Sequence, residues 1–444
     1  MKKILGIDLG TTKVAAVITD DNGKLCAVSG APHYAGTPDA QGKAEQDTGK
    51  ILACVQQVIC DLPAEERKQV SAIGVTGQMH SLLLGNGETV SPLTTWQDQQ
   101  CSDAFLNRVN RSANITLRNG FGGATLARLA AENALGNWDF CATISDYLTA
   151  VLAGNSRIVT DPTHAASWGI FDIAGNKWNE KALEVLNIPV ELLPEVQPSG
   201  TVIGRLAPEY AEKLGLEAGI PIVNAIGDNQ ASILGTGKNV SEEIYLTLGT
   251  GAQLSLVLDK HPGCVAEALE VRPFPGGRFL LVAAPLCGGA AFAWLADMAN
   301  SFRKALGEEE LPRHRLLDKL DALGVAELEK GEPELKVVPQ FLGERYLANA
   351  SGCISGLTLE NCAPGKLAAA LALGIIRNLK NGFSAEQLKE RSKIIGSGNA
   401  VRLIKSIQIA IDREFGLPLE LSEGREEAAT GAAILCLGSV QNLV

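Results

Sequence analysis

Several short stretches carry side chains that could do chemistry. The first is Asp8-Leu9-Gly10-Thr11-Thr12-Lys13, where an apolar run ends in a carboxylate, a glycine and two hydroxyls before a second apolar run, Val14 to Ile18. A hairpin turn of this composition offers N–H groups and hydroxyls to phosphate oxygens. A carboxylate beside it suits a magnesium ion that arrives with those phosphates. The alternative is an ordinary hairpin turn, and in either case Gly10 is expected to supply the unusual backbone angles. Leu248-Gly249-Thr250-Gly251 repeats the pattern half the chain later, with Thr247 where the first copy has Asp8. Two similar domains with such turns would hold a nucleotide between them, with metal binding on one side only.

A second group suits a sugar. Gln78, Met79 and His80 follow the apolar run Val70 to Val75, and polar residues at the end of a buried strand face the cleft where ligands of α/β folds gather. Trp96 offers a flat apolar face for sugar C–H groups, and Asp98 offers a carboxylate for two neighbouring hydroxyls. In isolation each fits equally well as a core aromatic and a turn cap. Asp228 and Asn229 follow the apolar run Gly219 to Ile226. An aspartate there either caps the next helix or takes a proton from a substrate hydroxyl. Gly396, Ser397, Gly398 and Asn399 are small enough for a ring or ribose to lie against the backbone, or they form a plain glycine loop. Gly120-Phe121-Gly122-Gly123 has the spelling of a dinucleotide fingerprint but follows polar residues instead of a strand, which argues against that use. Thr160 to Gly169 reads as a polar loop.

The elements that must position these residues are legible from periodicity. Strands are expected at 5–9, 14–18, 23–28, 70–75, 219–226, 244–248, 254–258 and 337–342, the last followed by Gly343-Glu344-Arg345. Helices are expected at 46–61, 126–135, 141–152, 367–379 and 428–437, with solvated surface helices across 304–334. The last helix presents a face of small residues, Ala428-Ala429-Thr430-Gly431-Ala432-Ala433, suited to close packing between domains. A chain of 444 residues implies two domains, divided as an N-terminal sugar-binding and catalytic part, 1–238, and a C-terminal nucleotide-binding part, 239–444. A net charge of −11 argues against nucleic acid or an anionic membrane as partner. Ten cysteines without a closely spaced pair suit reduced thiols in a cytoplasm.

Together the two hairpins, the late glycine loop and the small-residue helix resemble the actin-like ATPase superfamily. Gly77-Gln78-Met79-His80, Trp96-Gln97-Asp98, Gly227-Asp228-Asn229 and Gly343-Glu344-Arg345 resemble the FGGY carbohydrate kinases within it. That resemblance implies an α/β fold of two actin-like (ribonuclease H-like) domains with mixed central sheets and a cleft between them. It implies ATP and Mg2+ as cofactors, with Asp228 as general base and Asp8 as the magnesium partner. Gly10, Thr11, Thr12, Lys13, Gly249, Thr250, Gly251 and Gly396 to Asn399 would hold the nucleotide, and Gln78, Met79, His80, Trp96, Asp98 and Asn229 the sugar. Thr95 to Asp98, Gly120 to Gly122, Asp146-Tyr147, Ala165 to Gly169 and Gly396 to Gly398 resemble the sedoheptulokinase subgroup most, which implies a seven-carbon ketose as acceptor. Xylulose or another sugar is the alternative, and a non-enzymatic ATP-binding switch is the alternative of another class. A homodimer is one expectation for an assembly that the sequence leaves open.

Two positions depart from the family pattern. Relatives often carry a basic residue where Ala15 stands. Lys13, two residues earlier on the same strand face, is expected to reach the phosphates instead. Gln100 stands where the subgroup usually has arginine.

Overall fold

The computed structural model describes residues 2–37, 42–344, 346–347, 349–422 and 424–441; Arg345 lies outside them. The chain forms two compact units, one of Met1–Lys238, Arg272–Arg278 and Gly424–Val444, the other of Asn239–Val271 and Phe279–Glu423. The expected second domain, 239–444, is therefore corrected at two places. A hairpin tip, Arg272–Arg278, and the whole C-terminal helix (Glu427–Gln441) belong to the first unit.

The first unit is built on a seven-stranded sheet. Strands β1 (Lys3–Leu9) and β2 (Lys13–Thr19) form the opening hairpin, with Asp8 opposite Ala15, and β3 (Leu25–Pro32) pairs antiparallel with β2. Helix α1 (Thr48–Cys60) returns the chain to β4 (Val70–Gly77), parallel to β1. Helices α2 (Gly122–Ala131) and α3 (Ile144–Ala153) follow. The chain then re-enters the sheet as β5 (Val202–Arg205), β6 (Pro221–Val223) and β7 (Ile226–Gly227), and helix α4 (Asp228–Thr236) starts directly after β7.

Strand alternation sends Leu5, Ile7 and Leu9 into a core shared with α1 and α3. Ile4, Gly6 and Asp8 point to the opposite face, where the C-terminal helix lies. A Cβ on Gly6 would stand 2.0 Å from the Ala429 carbonyl oxygen, and one on Gly74 2.2 Å from that of Ala432. Small residues on the strands and on the helix thus allow backbone-to-backbone packing, which is why this helix closes the first unit.

The second unit repeats the plan. Strands β8 (Glu243–Leu248) and β9 (Ala252–Leu258) form a hairpin, β10 (Leu269–Phe274) and β11 (Arg278–Ala283) extend one side of it, and helices α5 (Ala290–Ala305), α6 (Arg313–Lys330) and α7 (Pro364–Lys380) pack against the sheet. Strand β12 (Lys393–Ser397) runs parallel to β8, and helix α8 (Asn399–Leu403) and strand β13 (Leu419–Leu421) follow. In both units an antiparallel hairpin supplies the central strand, and a parallel strand lies beside it.

Several local expectations change. The run Gly219 to Ile226 is two short strands, because the Asn224 side chain takes the N–H groups of Gly200 and Thr201. Cys141 lies in a short strand, and α3 starts after Thr143, whose hydroxyl accepts the Asp146 N–H. The expected loop at Thr160 to Gly169 holds a helix, Pro162–Ser167, capped by Asp161. Of the expected strand 337–342 only Val337 and Val338 are in a strand, Lys336–Val338. Among the described residues the cysteines are free thiols, and no helix is long and apolar enough to cross a membrane.

Candidate active site

Three parallel strands bring the first unit's candidates to one edge. Asp8 on β1 is level with Thr76 on β4, which is level with Ile226 on β7. The Thr76 hydroxyl ties the rungs together by donating to the Ile226 carbonyl at 2.7 Å. Asp8 therefore sits at the end of one strand, Gln78 just past the second and Asp228 just past the third.

Asp228 is the first residue of α4, and the cap position belongs to Gly227, which has no side chain to use. The carboxylate instead accepts the N–H of Asn229 at Oδ1, 2.7 Å away. Burial pushes Asp228 up to about 6, opposed by that N–H and by Arg272. Asp8 is pushed up to about 7 by burial first, then by Asp228 and Glu426, with Lys13 opposing. A carboxyl near 6 takes and returns protons readily near neutral pH. Asp8 Oδ1, Asn229 Oδ1 and Gln78 Oε1 are buried without a hydrogen-bond partner among the described residues. Each such acceptor costs about 1–3 kcal/mol, a cost typical of sites set up to receive donors or a cation.

The turn after Asp8 is held from its outer side. His33 accepts the Ala35 N–H at Nδ1, so its Nε2 carries the proton and donates to the Gly10 carbonyl at 3.3 Å. Gln46 Nε2 donates to the Thr11 carbonyl at 2.6 Å, and the His33 N–H to that of Thr12 at 3.2 Å. Gly10 is not in the left-handed region, contrary to expectation; a Cβ there would stand 3.1 Å from the Lys13 carbonyl oxygen. The turn needs the space, not the angle.

The sugar candidates meet the same turn. Trp96, 47% exposed, donates its indole N–H to Thr11 Oγ1 at 2.9 Å. Gly120, at φ 80°, lets that backbone approach: a Cβ would stand 1.9 Å from the Trp96 carbonyl oxygen. His80 adopts φ 69°, receives support at its N–H from Ser167 Oγ, faces the Ser167 carbonyl with Nδ1 at 2.5 Å, and stacks on Phe121 at 4.6 Å. A carbonyl can only accept, so Nδ1 carries a proton. Met79 is buried with its sulfur over Gly227.

Asp98 departs from expectation. It is buried, with Oδ1 taking the Gln100 N–H and Oδ2 the Ala44 N–H, so its carboxylate fastens the Trp96 loop and keeps only its remaining lone pairs for a sugar. Lys13 also departs: its ammonium contacts both carboxylate oxygens of Glu426 at 2.8 Å. At Gln100, the side-chain oxygen accepts from Arg128, so a guanidinium stands beside Asp98 after all, supplied by α2.

In the second unit a cavity of about 1180 Å³ opens beside the β8–β9 turn, lined by Gly249, Thr250, Gly289, Trp294, Gly398 and Asn399 among others. Gly398 holds φ 88°, and a Cβ there would stand 2.5 Å from the Leu248 carbonyl oxygen. Gly251 does not line this cavity, and neither do Gly396 and Ser397. Gly396 packs against Val401 and Leu419, while Ser397 Oγ pairs with Thr247 Oγ1 at 2.8 Å. The hydroxyl that replaces Asp8 in the second copy is thus partnered.

Asp8, with one orphaned buried oxygen at the end of a phosphate-friendly turn, fits a magnesium ion. Among the described residues no three His, Cys, Asp or Glu side chains form a cage, and magnesium bound through one carboxylate, waters and phosphates needs none. Two hairpin units of one topology, a partly buried aspartate starting a helix and a pocket of small residues suit a phosphotransferase. The N-terminal domain model of the FGGY family of carbohydrate kinases matches residues 3–235. The chain belongs to that family.

As an FGGY carbohydrate kinase it is a phosphotransferase with an alcohol as acceptor. It is 29% identical to the sedoheptulokinase of Homo sapiens and 30% identical to that of Mus musculus, each over 98% of this chain and 97% of the relative. Among solved structures, gluconate kinase from Lactobacillus acidophilus superposes with a TM-score of 0.81 at 25% identity, covering 99% of this chain and 90% of that one. Sequence reasoning missed His33, Gln46, Ser167 and Glu426 in this kinase. Each acts on a partner at least 23 residues away, so no local spacing marks them.

Proposed function

We propose that this kinase transfers the terminal phosphoryl group of ATP to the terminal hydroxyl of sedoheptulose, forming sedoheptulose 7-phosphate. The observation that carries the chemistry is Asp228: partly buried, first in its helix, and raised to about 6 beside Asp8. With Oδ1 engaged by the Asn229 N–H, Oδ2 takes the hydroxyl proton as the sugar oxygen attacks phosphorus. Asn229 Oδ1 and Gln78 Oε1 accept from sugar hydroxyls, and Trp96, Met79 and His80 give the sugar its apolar and polar walls. In the first unit Thr11, Thr12 and the Gly10 turn are suited to phosphate oxygens. The second unit's own pocket, lined by Gly249, Thr250, Gly398 and Asn399, is suited to an adenosine. Asp8 would hold magnesium, which when bound neutralises phosphate charge. Phosphoryl transfer asks chiefly for such alignment and charge balance.

Similarity to two sedoheptulokinases over nearly the full chain supports the seven-carbon ketose, with xylulose as the second reading. The same inference makes sugar and ATP the partners, in a cytoplasmic setting. The test is ADP release from the purified chain with sedoheptulose, xylulose, ribulose, gluconate or glycerol. The highest kcat/KM is expected with sedoheptulose. A higher value with another sugar overturns the substrate, and ATP binding without sugar-stimulated turnover would favour a switch protein.

A further inference from the structure

The contact between Lys13 and Glu426 joins residues 413 positions apart. Ala15 is the cross-strand partner of Asp8, which makes Lys13, two residues away on the same face, its diagonal neighbour. Such neighbours stand about 7–8 Å apart, well within the reach of a lysine side chain. Asp8 and Asp228 together would attract that ammonium. Lys13 nevertheless contacts both oxygens of Glu426 at 2.8 Å, while Asp8 Oδ1 stays buried without a partner among the described residues.

Glu426 holds this position by an unusual route. Its φ is 56°, in the left-handed region, and it directly precedes the C-terminal helix. A residue with a Cβ is disfavoured there by about 1–2 kcal/mol. The helix it precedes is locked in place: besides the contact at Gly6, a Cβ on Gly431 would stand 1.7 Å from the Ala231 carbonyl oxygen of α4, and one on Gly235 2.0 Å from that of Glu427. The seat of this helix therefore ties Glu426 both to β1, which carries Asp8, and to α4, which starts with Asp228.

We propose that Glu426 is a positioning residue that holds the Lys13 ammonium off Asp8, so that the Asp8 carboxylate stays open to the metal ion carried by the nucleotide phosphates. This rests on the phosphotransfer function proposed above. Without Glu426 the ammonium swings to Asp8 and occupies the oxygen that the metal needs. The defect is then made by Lys13, and removing Lys13 cures it.

The test is Mn2+ binding in the presence of ADP, followed by electron paramagnetic resonance on the full chain. It compares the wild type with Glu426→Gln, Glu426→Gly, Lys13→Met and the Lys13→Met/Glu426→Gln double variant. Glycine adopts the left-handed region freely, so Glu426→Gly keeps the fold while losing the carboxylate. Both Glu426 variants are expected to weaken Mn2+–ADP binding about tenfold, with the double variant within about twofold of Lys13→Met alone. Sugar affinity stays at the wild-type value throughout, and so does the thermal midpoint, except in Glu426→Gly, where loss of the left-handed strain raises it. Unchanged binding in the Glu426 variants, or a double variant as weak as Glu426→Gln, overturns the proposal. A wild type that binds Mn2+–ADP and turns over sugar while Glu426→Gln matches it sinks this inference alone. A wild type that does neither sinks the phosphotransfer function as well.

Discussion

Replacing Asp228 by asparagine separates a catalytic base from a structural carboxylate, because the two roles predict opposite signs for stability. In the folded chain Asp228 is raised from 3.8 to about 6, with burial the main cause. At about 1.4 kcal/mol per tenfold change, the ionised form is disfavoured by about 3 kcal/mol. The folded state keeps its proton until about pH 6, whereas the unfolded chain loses it near pH 4. The folded state therefore binds more protons in that window, and this contribution to stability falls as pH rises from 4 to 6. Asparagine never ionises, and its side-chain oxygen still accepts the Asn229 N–H. Asp228→Asn should then gain up to about 3 kcal/mol in urea unfolding at pH 8 and about nothing at pH 4. Turnover should fall by about 10²- to 10⁴-fold, since no group takes the hydroxyl proton. Sugar binding, measured by calorimetry, should persist. In the wild type, the acid limb of kcat/KM should fall through about pH 6–7, as the coupled carboxyls Asp228 and Asp8 take up protons. A variant that keeps turnover within tenfold, or loses stability at pH 8, refutes the assignment.

Four further outcomes follow from particular surroundings. Gly431→Ala forces its Cβ onto the Ala231 carbonyl at 1.7 Å and should lose about 1–3 kcal/mol in urea unfolding. Gly438→Ala in the same helix, with nothing within 4 Å, should gain a few tenths to about 1 kcal/mol. Asp98→Asn leaves one of two backbone N–H groups without its acceptor and should cost about 1–3 kcal/mol. Its KM for sugar should move little, whereas a large rise in KM with unchanged stability would restore Asp98 as a direct sugar ligand. Gly398→Ala strains φ 88° and meets the Leu248 carbonyl at 2.5 Å, so ADP affinity by calorimetry should drop while sugar affinity holds.

The placement of carboxylates at the strand ends is legible in the sequence because it is written locally. A hairpin with a glycine–threonine turn needs only its own residues, and the second copy at Leu248 marks a second unit of the same plan. The same holds for Asp228, since an apolar run followed by an aspartate and a helix fixes a carboxylate at a strand end. The division into parts is half legible: the break near residue 238 follows from the repeat, but the return of the C-terminal helix does not. Its small-residue face announces close packing, expected between domains, but the folded chain seats it within the first unit, against Gly6, Gly74 and Gly235.

Side-chain allegiance is where tertiary structure decided. Asp98 and Lys13 carry the right charges for a sugar and for phosphate, and type and spacing point there. Yet Asp98 finds the Ala44 N–H 54 residues away, and Lys13 finds Glu426 413 residues away. A charge pairs with whatever the fold brings within about 3 Å, and chain distance carries no information about that. The sequence by itself determined which strand ends bear carboxylates; only the fold decided which of those carboxylates remained open for chemistry.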